Sequence, residues 1–342
     1  MGRPDNGPVT GESVGPLGAA TVTNALLTRH VLDDEAGTYV GAVYDAKGAL
    51  VPGSVRDVDR LDNWDVAVPA TVARTPAVVG HYGQAGLETY VSSAVFAGHV
   101  FGGWGHLITE SLATAWYADE AAAGTPVVFS PWGRVWQSYL RRAATVFDLA
   151  GWGKRPLVVS NGDLVSDELI VPDGLLHLDS VLYEKKSIHP RMNAVYERMV
   201  DATKSARDGA ELVLLPRPSE HRRRQPEEGE VEASLVSAGF ESCLGWELTV
   251  EEQIAQVASA RVLVGYSGSN LHNSVFAPRG ILCIEIEDER AIERRAEYGV
   301  MLQEALCDLR GQRFVRIPAF TGGAARPARD IIADVRRTMA EA

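Results

Sequence analysis

The chain has 342 residues and a formal net charge of -12, from 33 Lys and Arg against 45 Asp and Glu. That length suits about two domains of roughly 150 residues, and 46% hydrophobic with 23% charged residues is the balance of a soluble globular protein. The acidic surplus argues against nucleic acid as a partner, no run reaches the ~18 apolar residues of a membrane span, and Cys243, Cys283 and Cys307 have neither CxxC nor zinc spacing.

Residues 1–18 (MGRPDNGPVTGESVGPLG) hold no apolar leader core and read as a disordered lead-in, so the expected compartment is the cytoplasm. Short apolar runs then alternate with helical patterns, as in α/β proteins. Ala67-Val68-Pro69 and Ala77-Val78-Val79 are candidate strands, and the stretch 91–100 is β-prone. Gly102-Gly103-Trp104-Gly105 reads as a flexible loop before a helix over 106–122, with Ile108, Leu112 and Ala115 on its apolar stripe. Gly124 and Pro126 close that helix. Strands are expected at 126–129, 155–160 and 168–172, with a helix over 138–149 that Gly151 ends.

The aperiodic stretch 173–190 reads as the crossing between two domains. A helix from 191 to about 205 carries Met192, Val195, Tyr196 and Met199 on one face. Strand 211–215 then runs into Pro216-Arg217, and 219–230, with Arg222, Arg223 and Arg224, reads as a solvated surface loop. Thr249-x-x-Glu252 is a capping box, since hydroxyl and carboxylate each satisfy a backbone N–H. Strand 261–265, a loop over 266–270, a short helix over 271–277 and strand 281–286 make a βαβ unit. Such units are parallel and right-handed, so that loop belongs at the carboxyl edge of a parallel sheet.

Several groups could carry chemistry. The loop Gly265-Tyr266-Ser267-Gly268-Ser269-Asn270 suits an anion, because small residues let backbone N–H groups approach a phosphate and a helix start adds positive charge. The same residues also suit a βα turn with no ligand, and the spacing fits neither GxGxxG nor a Walker loop. Arg217, at a strand end, could grip a diphosphate bidentately. His106 and Glu110, at i and i+4, share a helix face, so the carboxylate could orient the imidazole; such pairs are also common on plain helix surfaces. His272 and Asn273 open the second helix and could cap it or touch a ligand, and Trp104 offers an indole on which a sugar ring could stack, although core packing is the commoner fate of an indole. Asp57-Val58-Asp59 reads as a solvated turn rather than a metal site.

Together these segments resemble a known family. GGWGHLITE (102–110) resembles the GHFLLE segment of glycosyltransferase family 61 in its bacterial, capsular-polysaccharide-type branch. Leu215-Pro216-Arg217 resembles its SR strand end, Glu230-Val231-Glu232 its acidic NE segment, and LTVEEQI (248–254) its helix start. ARVLVGYSGSNLHNSVFAP (260–278) resembles its most specific block, and the order holds over about 90–286. Two positions depart: Ser267 stands where many members have His, and Glu228-Gly229 stand where an Asn usually precedes the acidic residue.

The resemblance implies an α/β fold of two Rossmann-like domains facing across a cleft, the GT-B type. Residues 19–185 would form the acceptor side and 186–342 the nucleotide-sugar side. It implies an inverting hexosyl- or pentosyltransferase with no metal and no cofactor. The donor would be a nucleotide-sugar, expected to be a UDP-sugar, and the acceptor a glycan or other hydroxyl compound in polysaccharide or glycoconjugate biosynthesis. His106 would be the base, oriented by Glu110, with Glu110 itself in reserve. Arg217 with Gly265, Ser267, Gly268, Ser269, Asn270, His272 and Asn273 would hold the donor, with Trp104 on the acceptor side. The compartment would be the cytoplasm, including the inner membrane face, and homo-oligomerisation stays open. The rival readings are a catalytically silent sugar-nucleotide-binding scaffold and a nicotinamide oxidoreductase, for which the glycine fingerprint is missing.

Overall fold

The computed structural model describes residues 17–342 except 29–30, 34–37, 41, 55–88, 101, 132–136, 160–162, 179–185, 205–208, 222–223, 290 and 294–301. The candidate strands at 67–69 and 77–79, the Asp57–Asp59 turn, and Arg222 and Arg223 lie outside the described residues, as does residue 1–16 of the lead-in.

The amino-terminal half builds a six-stranded mixed sheet, in the order Val43–Tyr44, Ala19–Leu27, Leu164–Pro172, Thr89–Val100, Val127–Pro131, Leu157–Val159. The last four strands run parallel to one another, and Ala19–Leu27 lies antiparallel to Leu164–Pro172. Ala19–Leu27 goes unread in the sequence because Asn24, at φ 48°, breaks its alternation. Val22, Ala25 and Leu27 still reach the core.

The carboxyl-terminal half is a five-stranded parallel sheet, ordered Glu241–Ser242, Leu212–Leu215, Val262–Tyr266, Leu282–Glu287, Arg313–Pro318. Its central strands are buried on both faces, which is why they read as unbroken apolar runs. Leu214, Val264 and Ile284 pack with Val231, Leu235 and Ile331 from the helices Glu228–Ser237 and Ala328–Ala340. Val213, Leu263 and Cys283 face the other way, toward Ile254 and Val257 of the helix Val250–Val257 and Leu306 of the helix Leu302–Arg310. The strand order reverses between Leu212–Leu215 and Val262–Tyr266, and ligands of open parallel sheets bind beyond the carboxyl ends at such a reversal. Arg217 and Ser267 follow those two strands.

The same core cluster continues through Tyr196 and Met199 of the helix Met192–Thr203 to Leu107, Ile108 and Val100 beside the first sheet. The two sheets therefore share one apolar layer. The stretch expected as a crossing holds a short antiparallel ribbon, Leu176–Leu178 with Lys186–Ile188, tied in by the Leu175 N–H donating to the Ala113 carbonyl at 2.8 Å. Three-residue strands are too short to carry a period, so the sequence could not reveal them. Among the described residues no helix is long and apolar enough to cross a membrane.

Candidate active site

The Thr89–Val100 strand leads into a helix that begins at Trp104, two residues before the expected start, with Gly103 extended at φ -98° and ψ 136° as its N-cap. Over Leu107–Ser111 the helix widens into a π-type turn, a form often found at functional sites. Those five residues are buried, including Glu110. The Glu110 carboxylate is hydrogen-bonded to Nδ1 of His106, whose side chain is half exposed. A Cβ on Gly103 would stand 3.3 Å from Cδ2 of His106, so the glycine leaves room for the ring.

The loop after Val262–Tyr266 meets this helix directly. A Cβ built on Gly105 would lie 2.6 Å from Cδ2 of His272 and 2.8 Å from Oγ of Ser269. No side chain fits there, so the amino-terminal helix rests on the loop through bare backbone. Gly268, at φ 146°, takes a conformation that side-chain-bearing residues rarely adopt. The Asn270 amide donates to the Pro216 carbonyl at 2.6 Å and that of Asn273 to the Asn270 carbonyl at 2.9 Å, fixing the loop to the neighbouring strand end. The expected helix over 271–277 is a six-residue 3₁₀ turn, Leu271–Phe276. That corrects the helix-charge part of the expectation: what the loop offers an anion is its own N–H groups and side chains.

Trp104 closes a second junction. Its indole N–H donates to Oδ1 of Asn273 at 3.1 Å, and the Gln253 amide donates to the same oxygen at 3.0 Å. Arg142, on the helix Gln137–Leu149, stacks 4.5 Å over the Trp104 ring and donates to Oε1 of Gln253 at 2.5 Å and to the Gly245 carbonyl at 3.0 Å. The indole thus clasps the two halves with its N–H and one face, where the sequence suggested an open platform for a sugar.

Arg217 also differs from its expected posture. It is buried, donating to Oε1 of Glu228 at 2.9 Å, Oδ2 of Asp288 at 2.6 Å and the Ser267 carbonyl at 2.5 Å, with its guanidinium 5.3 Å from the Tyr266 ring. In this arrangement it braces the loop. Arg224, expected to be solvated, forks onto both oxygens of Glu232 and donates to the Arg217 carbonyl. The polar stretch 219–230 also hides a helix start at Glu228. Burial raises Glu228 above the usual carboxylate range against the Arg217 charge. Burial also lifts Glu285 to about 7, with Glu287 and Asp288 adding to the rise and a Ser267 hydrogen bond and Arg316 opposing it.

His272 completes the group. Its Nδ1 lies 2.9 Å from Oε1 of Gln303, whose amide nitrogen faces Ser274 Oγ at 2.8 Å and Cys307 Sγ at 3.3 Å. Tyr196 links both segments: its hydroxyl donates to the Ile108 carbonyl at 3.0 Å and its ring meets Phe276 edge-on at 5.8 Å.

The family profile described as Glycosyltransferase 61 matches residues 104–284, just over half of the chain. The chain belongs to the glycosyltransferase 61 family. It is accordingly a glycosyltransferase, an enzyme that works on a sugar donor and an acceptor. No curated protein matches it.

In this glycosyltransferase the matched stretch begins at Trp104 and contains every candidate catalytic, donor-binding and acceptor-side residue expected from the sequence. The fold brings Trp104, Gly105, Ser269, His272 and Asn273 into one junction, with His106 and Glu110 on its amino-terminal side. It keeps the Arg217 guanidinium behind the loop. Sequence reasoning missed the roles of Arg142, Tyr196 and Gln303, which arise from contacts between residues 111, 88 and 31 positions apart. Gln253 had a signal: the capping box places it one residue beyond Glu252, on the inner side of its helix.

Proposed function

We propose that the protein is an inverting glycosyltransferase that moves a hexosyl or pentosyl group from a nucleotide-sugar, expected to be a UDP-sugar, to a glycan or other hydroxyl acceptor. The reading places it in polysaccharide or glycoconjugate biosynthesis of the bacterial capsular type. It takes the two sheets as the acceptor and donor sides of a GT-B arrangement, working in the cytoplasm or at the inner membrane face without a metal. The observation that carries it is the seat of Gly105 on Ser269 and His272. That contact puts a half-exposed histidine, backed by a buried carboxylate, beside the loop at the strand-order reversal.

The chemistry follows from those surroundings. With Nδ1–H donating to Glu110, the other nitrogen of His106 is the basic one. It accepts the acceptor hydroxyl's proton as that oxygen attacks the anomeric carbon, and Glu110 stabilises the imidazolium that results. The diphosphate departs from the opposite face toward Ser267, Gly268, Ser269, Asn270, His272 and Asn273, and Arg217 holds the Ser267 carbonyl in place.

The experiment is a thermal-shift screen against UDP-, GDP-, CMP- and dTDP-sugars, followed by transfer assays with the donor that binds. A donor at 100 times its Kd should stabilise the protein by about 2.7 kcal/mol. His106→Ala should lower turnover by about 10²- to 10⁴-fold while leaving that shift intact. Near-normal transfer by both His106→Ala and Glu110→Ala would remove the base assignment. Binding without turnover under any acceptor would instead favour the silent scaffold.

A further inference from the structure

We propose that Arg142 and Tyr139, on the helix Gln137–Leu149, bind an oxyanion of a substrate, a phosphate or carboxylate group, where the two halves meet. The proposal rests on the transferase reading above and deepens it.

Arg142 carries its charge among neutral partners. Its Nη2 donates to Oε1 of Gln253 at 2.5 Å and to the Gly245 carbonyl at 3.0 Å, and its guanidinium lies 4.5 Å over the Trp104 ring. Among the described residues no carboxylate pairs with it, Nη1 makes no hydrogen bond, and Nε is buried without a partner. Burial pulls the guanidinium below its ordinary range, yet such a group stays protonated in a protein, so the charge is fixed in place. Arg217, Arg224 and Arg310 are also buried wholly or in part, and they meet Glu228 and Asp288, Glu232, and Glu197 respectively. A desolvated cation held only by dipoles and a ring lacks the counter-charge that those three have.

Tyr139 is the second observation. It stands three residues before Arg142, on the same face of the helix, and each side chain feels the other electrostatically. Its hydroxyl is buried with no hydrogen-bond partner. Burial raises its pKa, with Arg142 opposing, so the phenol keeps its proton and is available as a donor. A buried O–H and a buried N–H, side by side and both without an acceptor, cost free energy until an acceptor arrives. A neutral acceptor would satisfy the two donors and leave the charge uncompensated. An oxyanion answers all three at once, one oxygen for the phenol and another for the guanidinium fork.

The location limits whose oxyanion it is. Gln253 also donates to Oδ1 of Asn273, which accepts from Trp104. The guanidinium is thus two hydrogen bonds from the donor loop and in contact with the first residue of the His106 helix. Arg142 and Tyr139 are only partly buried, and Trp246, next to Gly245, is 42% exposed, so this edge borders solvent. Both a donor diphosphate and an acidic group on the acceptor offer the required chemistry there.

The test uses the full chain and calorimetry at neutral pH with three probes: inorganic pyrophosphate, UDP and glucuronate, a sugar carboxylate. The parent should bind at least one. Arg142→Met, which keeps the length and loses the charge, should weaken that binding by about 10²-fold. Tyr139→Phe should weaken it by about tenfold or more, while its unfolding midpoint in denaturant stays the same or rises, because the hydroxyl has no bond to lose. A clasp with no ligand role gives a different pattern, in which Arg142→Met is less stable and every affinity of the folded protein is unchanged. Loss on pyrophosphate or UDP assigns the oxyanion to the donor, and loss on glucuronate alone assigns it to the acceptor; either supports the proposal. No binding of any probe, affinities that Tyr139→Phe leaves unchanged, or a Tyr139→Phe protein that unfolds more easily overturns it, and this variant decides should Arg142→Met fail to fold. Arg142-dependent binding with no sugar transfer to any acceptor supports the site while overturning the transferase reading. Transfer by the parent, with affinities unchanged in both variants, does the reverse.

Discussion

His106 and Arg217 are both nitrogen groups held by carboxylates, yet their surroundings are opposite. The His106 side chain is 50% exposed and pairs with a glutamate four residues away. The Arg217 side chain is 5% exposed and sits between two carboxylates, 11 and 71 residues away, that are as buried as itself. A charge buried between two opposite charges is committed to the fold, because releasing it would strand carboxylates in a low-dielectric interior. A half-exposed imidazole can gain or lose a proton at its other nitrogen while the hydrogen bond to the buried Glu110 is kept. The first arrangement builds a loop, and the second is fit for proton transfer.

That contrast breaks first on paired substitutions. Arg217→Met leaves Glu228 and Asp288 uncompensated and should cost about 3–5 kcal/mol in denaturant unfolding. His106→Ala should stay within about 0.5 kcal/mol of the parent stability and lose its effect on turnover instead. If Arg217→Met kept its stability and lost only donor affinity, the guanidinium would be a ligand group and the contrast would be mistaken.

The next effect comes from Glu285, whose folded value near 7 lies above that of an exposed glutamate. The folded state then binds more protons than the unfolded one between about pH 4.5 and 7, so this group's contribution falls as pH rises through that window. A shift of that size corresponds to about 3 kcal/mol. Glu285→Gln should therefore stabilise the protein at pH 8 by up to about that amount and change little near pH 4. Unfolding curves at the two values measure the difference, and an equal change at both would mean the carboxyl carries no such penalty.

The three central strands of the parallel sheet were legible because they are written as apolar runs, with capping box and glycines marking the turns between them, whereas the edge strands Glu241–Ser242 and Arg313–Pro318 were not. In the first sheet the strands near 91–100, 126–129, 155–160 and 168–172 were legible too, while Ala19–Leu27, whose alternation Asn24 interrupts, and the two-residue Val43–Tyr44 were not. In the site, the local pair His106–Glu110 could be read at i and i+4, and the loop from its small residues. What could not be read was posture. Whether an arginine at a strand end points outward or is captured depends on Glu228 and Asp288, and whether an indole is a platform or a clasp depends on Arg142 and Asn273. Those are facts of tertiary contact, with no trace in local spacing.

Two smaller substitutions sharpen the comparison at the junction between its two sides. Gly105→Ala forces a methyl into a space 2.6 Å from the His272 ring. It should cost about 1–3 kcal/mol and, by moving the His106 helix off the loop, lower turnover by as much as about 10²-fold. The smallest expected effect is that of Tyr196→Phe, which removes the bond to the Ile108 carbonyl and should cost about 1 kcal/mol. Its value lies in the ratio of the two readouts. Ile108 belongs to the widened turn that carries Glu110, so a loss of turnover larger than the loss of stability would mean that Tyr196 holds the carboxylate behind His106 in register. Turnover that merely follows stability would make the tyrosine part of the shared apolar layer and nothing more.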